Sequence, residues 1–302
     1  CDWKHAGNLP DGAGFLMLSK EEATGHVRLY TYDMKKDEFK LSGSLLEEAA
    51  FSVDAYWADS FVSHNGIVYA ASPHESDSLL YYDAVRGERG TIPLTGIPAS
   101  MILAKAYNDH VSEYELNAPT LTISPDGNKI FSTLCSTTTM ERSFIVIDLR
   151  TGECTPLKTE DGHPGRTNVA AFSEDGRSLA CSTDYAILLY DEGYSDPLSL
   201  SISGLNVRSM TWFLDDLWVK FSNNMVRRYD KNGEILSEIT LDNKKVPDNA
   251  QRPEWTVVPT YYQQAALMLY DEGNMNLLSM DAQATTPILH IPEFVSWNNE
   301  SD

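Results

Sequence analysis

The stretch Leu121–Cys135, LTISPDGNKIFSTLC, sets an apolar run, a Ser-Pro-Asp-Gly turn and a second apolar run in order. The same design returns 49 residues further on as VAAFSEDGRSLACST, residues 169–183. Asp-Gly between two alternating apolar runs is a strong hairpin signal, because glycine takes positive φ freely and aspartate folds back onto the turn backbone. A supersecondary unit written more than once constrains a fold more tightly than any composition does.

A second marker counts the units. β-prone runs that close on an aspartate end at Asp33, Asp83, Asp148, Asp191, Asp230 and Asp281, at intervals of 50, 65, 43, 39 and 51 residues. A polar turn and a further short strand follow each one. An aspartate in that position caps the turn through its side chain, so none of the six is a catalytic candidate. Four strands in roughly 40–50 residues is the pattern of a β-propeller blade. The chain is therefore expected to be all-β, a six-bladed β-propeller of four-stranded antiparallel blades. Residues 14–302 read as one domain and residues 1–13 as an N-terminal tether. No good inner strand precedes Gly14, and Pro292–Asn298, PEFVSWN, has nothing after it to pair with. This predicts a ring closed by the C-terminal strand pairing into blade 1. Trp57, Trp212, Trp255 and Trp297 fall in or beside proposed inner strands, where they would pack blade against blade. An aromatic ring at the channel mouth that stacks on sugars is the other reading.

Charge narrows the partners. With 44 acidic and 23 basic residues the net charge is −21. Such a surface repels phosphate backbones, so nucleic acid is excluded as a partner, while cationic partners are favoured. No run of 18 or more apolar residues marks a transmembrane helix. Cys135, Cys154 and Cys181 fall in predicted strands and read as buried small apolar residues. Neither CxxC nor HxxxH spacing points to zinc. Cys1 opens the sequence ahead of a polar, Gly-rich stretch. It is the expected lipid anchor of a mature bacterial envelope lipoprotein, a soluble cytoplasmic protein being the alternative.

Ser124, Pro125, Asp126 and Gly127, then Ser173, Asp175 and Gly176, together with IDLRTGE at Ile147–Glu153, resemble the TolB-like and WD40-like propeller repeats. With six repeats and Cys1, the chain is similar to six-bladed propeller lipoproteins of bacterial envelopes. The resemblance implies the architecture and transfers no catalytic residue. Tyr-Asp, Ile-Asp or Met-Asp stands where WD40 repeats carry Trp-Asp.

The search for chemistry returns a binding surface. The sialidase Asp-box, the Gly-x-Ser-x-Gly elbow and a Gly-rich phosphate loop are all missing from the sequence. The longest interval, Asp83 to Asp148, carries a surplus segment at Thr95–Pro119. Long connections in compact domains are usually functional or disordered. This one is apolar enough, with Met101, Ile102, Leu103, Tyr107 and Tyr114, to pack. Tyr107, Asn108, Asp109 and His110 form a polar cluster inside it. His163 and Arg166 stand before blade 4, and His74 lies between the second and third strands of blade 2. An arginine there can hold a carboxylate bidentately. The expectation is a binding or assembly module without enzymatic activity. A protein partner or small ligand would dock over the channel mouth, with no cofactor needed, the molecule being a monomer or part of an envelope complex. A metal-assisted hydrolase or lactonase using channel-mouth carboxylates is the competing class, its metal unknown.

Overall fold

The computed structural model describes residues 2–20, 27–46, 61–71, 77–103, 105–106, 116–117, 120–136, 139, 141–159, 169–223, 225–240, 258–259, 265–271, 274–279 and 285–290. Four consecutive strands, in chain order, build the body of each main sheet, and one sheet gains a fifth strand. The first sheet holds β1 (Asp2–Asn8), β2 (Gly14–Lys20), β3 (Val27–Asp33) and β4 (Glu38–Leu46). The second holds β5 (Phe61–His64), β6 (Ile67–Ala71), β7 (Ser78–Asp83) and β8 (Glu88–Pro93). Between the second and third lie β9 (Met101–Leu103), β10 (Lys105–Ala106) and β11 (Leu116–Asn117). The third sheet is β12 (Leu121–Ile123), β13 (Lys129–Ser136), β14 (Arg142–Asp148) and β15 (Cys154–Leu157). The fourth is β16 (Ala170–Phe172), β17 (Leu179–Ser182), β18 (Ala186–Tyr190) and β19 (Leu198–Ser201). The fifth is β20 (Val207–Phe213), β21 (Asp216–Phe221), β22 (Met225–Tyr229) and β23 (Ile235–Thr240). A sixth four-stranded sheet follows in β24 (Val258–Pro259), β25 (Ala265–Asp271), β26 (Asn274–Ser279) and β27 (Thr285–His290).

The middle strands of the second to fifth sheets are largely apolar because both of their faces are buried. On β6, Val68 and Ala70 pack against Leu16, Leu18 and Leu29 of the first sheet. Tyr69 and Ala71, at the alternate positions, pack against Ile130, Leu134 and Ile145 of the third. On β17, Leu179 and Cys181 turn toward Phe131 and Phe144 of the third sheet. Ala180 turns toward Leu217 and Val219 of the fifth. Strand periodicity of two thus hands successive side chains to opposite neighbours. The first strands also adjoin in sequence: β1 with β5, β5 with β12, β12 with β16 and β16 with β20. Face-to-face stacking with first strands side by side is a propeller-like arrangement.

Aromatic side chains add polar ties across these junctions. Trp212 of β20 donates Nε1–H to the carbonyl of Ala171 on β16 at 3.1 Å. Tyr190 donates to the carbonyl of Lys158, at the end of the third sheet, at 2.5 Å, and Tyr82 to the carbonyl of Ser42 in the first. The expected blade-to-blade role holds for Trp212; Trp57, Trp255 and Trp297 lie outside the described residues. Cys135, Cys154 and Cys181 are buried, as expected. Burial pushes the Cys154 thiol up to about 11, and the Cys181 thiol rises for the same reason.

Two expectations about the chain ends need correction. The first residues do not form a tether: Asp2–Asn8 is β1, antiparallel to β2 from the Asp2–Lys20 pair to the Asn8–Phe15 pair. β1 occupies the edge of β2 that residues 292–298 were expected to fill, so the first sheet draws all four strands from the N-terminal stretch. Residues 292–298 themselves lie outside the described residues.

Two glycines at the same turn position test how tightly neighbouring sheets sit. Gly87 and Gly152 each donate N–H to the carbonyl of the aspartate that ends the third strand, Asp83 and Asp148, and have φ of 71° and 73°. A Cβ on Gly87 would meet nothing within 4 Å, whereas one on Gly152 would lie 1.9 Å from the carbonyl oxygen of Pro93 in the preceding sheet. Gly87→Ala is expected to cost only the left-handed backbone penalty, about 1–2 kcal/mol. Gly152→Ala is expected to cost a further ~1–3 kcal/mol, because backbone must move. Denaturant unfolding of the two variants checks the difference.

Candidate functional site

An antiparallel four-strand meander has two unlike ends. Its first-to-second and third-to-fourth turns lie at one end. The entry to its first strand and the second-to-third connection lie at the other.

The first of these ends is closed by its own hydrogen bonds. In the Ser124–Lys129 turn, Ser124 Oγ–H donates to Asp126 Oδ1 at 2.6 Å. Asn128 donates its backbone N–H to Oδ1 and its side-chain amide to Oδ2 of the same carboxylate. Lys129 N–H donates back to Ser124 Oγ at 2.9 Å. The Ser173–Ser178 turn repeats the design: Ser173 Oγ–H and Arg177 N–H donate to Asp175, and Ser178 N–H donates to Ser173 Oγ. The serine hydroxyl, followed by the Asn128 donors, pulls the Asp126 carboxyl down to about 2. Asp175 is lowered by its Ser173 bond first. Successive turns also touch: Pro10 approaches Gly66, His64 approaches Gly127, and Asp126 approaches Gly176.

The third-to-fourth turns behave alike. Asp33 accepts from Lys35 and Lys36 N–H, and Asp83 from Val85 and Arg86 N–H. Asp148 accepts from Arg150 and Thr151 N–H, and Asp230 from Asn232 and Glu234 N–H. The capping role expected of these aspartates holds at those four positions. At Asp191 the backbone carbonyl accepts Tyr194 N–H; Asp281 lies outside the described residues.

The opposite end carries the long connections, 47–60, 94–120, 158–169 and 241–257. The second of these is anchored at its base. Thr95 N–H donates to Gly152 O and Cys154 N–H to Thr95 O, both at 2.9 Å, tying the start of the segment to the third-to-fourth turn of the third sheet. It returns as β9, whose Met101–Leu103 pairs with Ser136–Leu134 of β13. That edge of β13 holds β12 at residues 130–132, so β9 extends the first-strand position beyond β12. Met101 and Leu103 are buried in the core between the second and third sheets. The packing expected of this apolar segment holds there. Its pairing with β13 went unread, because Met-Ile-Leu alone fits a strand or a buried coil equally.

The residues expected from the sequence to form the binding surface fall, in chain order, between described strands. His74 lies between β6 and β7. Tyr107, Asn108, Asp109, His110 and Tyr114 lie between β10 and β11, and His163 and Arg166 between β15 and β16. All of them, and Cys1, are outside the described residues. The flanking strand ends belong to the second, third and fourth sheets, whose first strands adjoin. Among the described residues, no group of three or more His, Cys, Asp or Glu is placed to hold a metal ion.

No protein-family model and no curated protein matches the sequence. Solved structures do match the fold. Oligogalacturonate lyase in complex with manganese aligns with a TM-score of 0.60 at 12% identity, over 95% of this chain and 76% of that one. KlAtg21, solved with the coiled coil of AgAtg16, aligns with a TM-score of 0.55 at 12% identity, over 95% and 98%. Saccharomyces cerevisiae Sqt1 aligns with a TM-score of 0.52 at 12% identity, over 97% and 72%. At these identities the likeness is one of fold alone, and the fold is of the WD40 or β-propeller type.

The Asp126 turn gives a pH dependence. Its carboxyl sits below the ordinary 3.8 in the folded chain, so the unfolded chain binds the extra proton. The turn's contribution is complete above pH 3.8 and is lost as pH falls toward about 2. Asp126→Asn is expected to lower stability near neutral pH by about 1 kcal/mol. It should also flatten the fall in stability over that acid window, as read by urea unfolding at stepped pH.

Proposed function

We propose that this chain is a six-bladed propeller acting as a binding or assembly module, and that a protein partner or small ligand docks on the end carrying the long connections. One observation carries the reading: the two ends of the sheets are built differently. At the turn end, serine, aspartate and backbone groups satisfy one another within a few residues. At the other end the chain adds the 94–120 segment, seated by β9 on β13. Insertions in repeat folds gather on the binding face. Tyr107, His110 and Arg166 combine aromatic area with a few polar groups, which suits recognition.

The test is site-specific photo-crosslinking in cells, with the reactive residue at position 110 or 166 and, as control, at exposed Val85 on the turn end. Defined crosslinks from 110 and 166 but not from 85 are expected. Tyr107→Ala, His110→Ala and Arg166→Ala should each abolish them while leaving Tm within a few degrees of wild type. Crosslinks from 85 alone, or three variants that all unfold early, would refute the proposed face.

A further inference from the structure

Neighbouring sheets meet differently at their outer margins, where the third and fourth strands lie. Between the first and second sheets, Tyr82 donates to the carbonyl of Ser42. Between the second and third, Thr95 N–H donates to the carbonyl of Gly152. Between the third and fourth, Tyr190 donates to the carbonyl of Lys158 at 2.5 Å, and Lys158 pairs with Asp196 at 2.7 Å. Between the fourth and fifth, apolar side chains stand at that margin. Strand register sets Leu198 and Leu200 opposite Leu189 and Ile187 on the fourth sheet, and Ile235 opposite Tyr229 on the fifth. Ile187, Leu189 and Tyr229 share the core between these two sheets, so Leu198, Leu200 and Ile235 face the same junction. Gly233 lets the two sides approach: a Cβ there would lie 2.3 Å from Leu200 and 3.0 Å from Leu198.

The junction does not close over them. Leu198 is 43% exposed and Ile235 54%, and Leu236, the extra residue of the bulge opposite Arg228 and Tyr229, is 48% exposed. Half-buried leucine and isoleucine on facing outer strands make an apolar cleft open to water, a feature that marks interaction sites. Among the described residues, no further strand pairs with the outer edge of β19 or β23. The rim of the cleft is acidic. Asp191, Glu192 and Asp196 stand in the turn before β19, and Asp230 and Glu234 in the turn before β23. The two turns together hold one basic residue, Lys231.

We propose that this cleft is a second docking site, and that its occupant is a cationic segment of a partner protein, extended along the outer strands with an apolar side chain between Leu198 and Ile235. Charge complementarity selects the occupant. An acidic rim repels an acidic or phosphorylated segment, and likewise a second copy of a chain whose net charge is −21, while it attracts lysine and arginine. The apolar floor supplies what charge alone lacks, a pocket for a side chain that leaves water on binding. The cleft lies at the turn end of the fourth and fifth sheets, so it is independent of what the long connections bind.

The test is fluorescence anisotropy of the full chain with a labelled peptide of alternating lysine and leucine, beside two comparators, one with glutamate for lysine and one with serine for leucine. The lysine–leucine peptide should bind saturably and more weakly as salt rises, and each comparator about tenfold more weakly or worse. Leu198→Ser and Ile235→Ser should each weaken binding about tenfold or more, with Tm within a few degrees of wild type. Val85→Ser, at an exposed apolar position on the second sheet, should leave binding unchanged. The double variant Glu192→Lys with Glu234→Lys alters only exposed rim positions and should abolish binding. If the serine variants unfold early, the double variant decides, and wild-type affinity in it overturns the proposal. So do failure of the lysine–leucine peptide to bind, equal binding of all three peptides, wild-type affinity in both serine variants, or an equal loss in Val85→Ser. Dimers in sedimentation that Ile235→Ser disrupts assign the cleft to a second copy and overturn the cationic occupant.

Discussion

The packing of this structure depends on the middle strands of the second to fifth sheets being buried on both faces. A sheet with one wet face stands alone or pairs once. A sheet such as β5–β8, with Val68 and Ala70 on one side and Tyr69 and Ala71 on the other, must be sandwiched. Repeating that requirement sheet after sheet turns a linear sequence into a stack, and strand twist bends the stack around its first strands. The glycine turns and the aromatic hydrogen bonds refine this spacing and do not create it. Gly152 lets the backbone of Pro93 pass, and Trp212 ties its indole to the neighbouring Ala171 carbonyl.

Much of the fold was legible in the sequence because two-sided burial writes apolar runs. Phe144–Ile147 and Ile187–Tyr190 are continuous hydrophobic stretches, and the aspartates and Ser-x-Asp-Gly turns that bound such runs fix their ends. β1 escaped the same reading for a physical reason. As a first strand beside β5 it needs no continuous apolar run, and Asp2–Asn8 reads Asp-Trp-Lys-His-Ala-Gly-Asn. The signal that could have found it is the turn that follows. Pro10-Asp11-Gly12 repeats Pro125-Asp126-Gly127, and the Leu9 N–H to Gly14 O bond closes the loop between β1 and β2. The candidate site was legible only as a place. Sequence spacing put His74, Tyr107–His110, Tyr114, His163 and Arg166 in connections at one end of three neighbouring sheets. Their side-chain geometry depends on tertiary context that local patterns do not encode.

The contrast between the two ends separates what the fold needs from what it can lend. At the turn end, serine and backbone donors lower the Asp175 carboxyl and, with the Asn128 amide, hold that of Asp126 well below the ordinary range. Those charges are spent on local order, although they add to the acidity of the surface. At the other end, the base of the 94–120 segment is core: Met101 and Leu103 share a cluster with Leu121 and Ile147. A rigid base beneath a long connection is how scaffolds present variable chemistry without yielding their own packing.

The strand that the sequence concealed changes how the molecule is made. With β1 supplied by residues 2–8, the first sheet is complete once residue 46 has been synthesised, and each later sheet likewise uses only contiguous chain. Among the described residues, no sheet takes a strand from a distant part of the sequence. Contacts within each sheet are therefore local in sequence, the class of contact that forms fastest. A chain emerging from the ribosome at about 5–20 residues per second has time to set one sheet before the next appears, and each finished sheet offers an apolar face on which its successor can assemble.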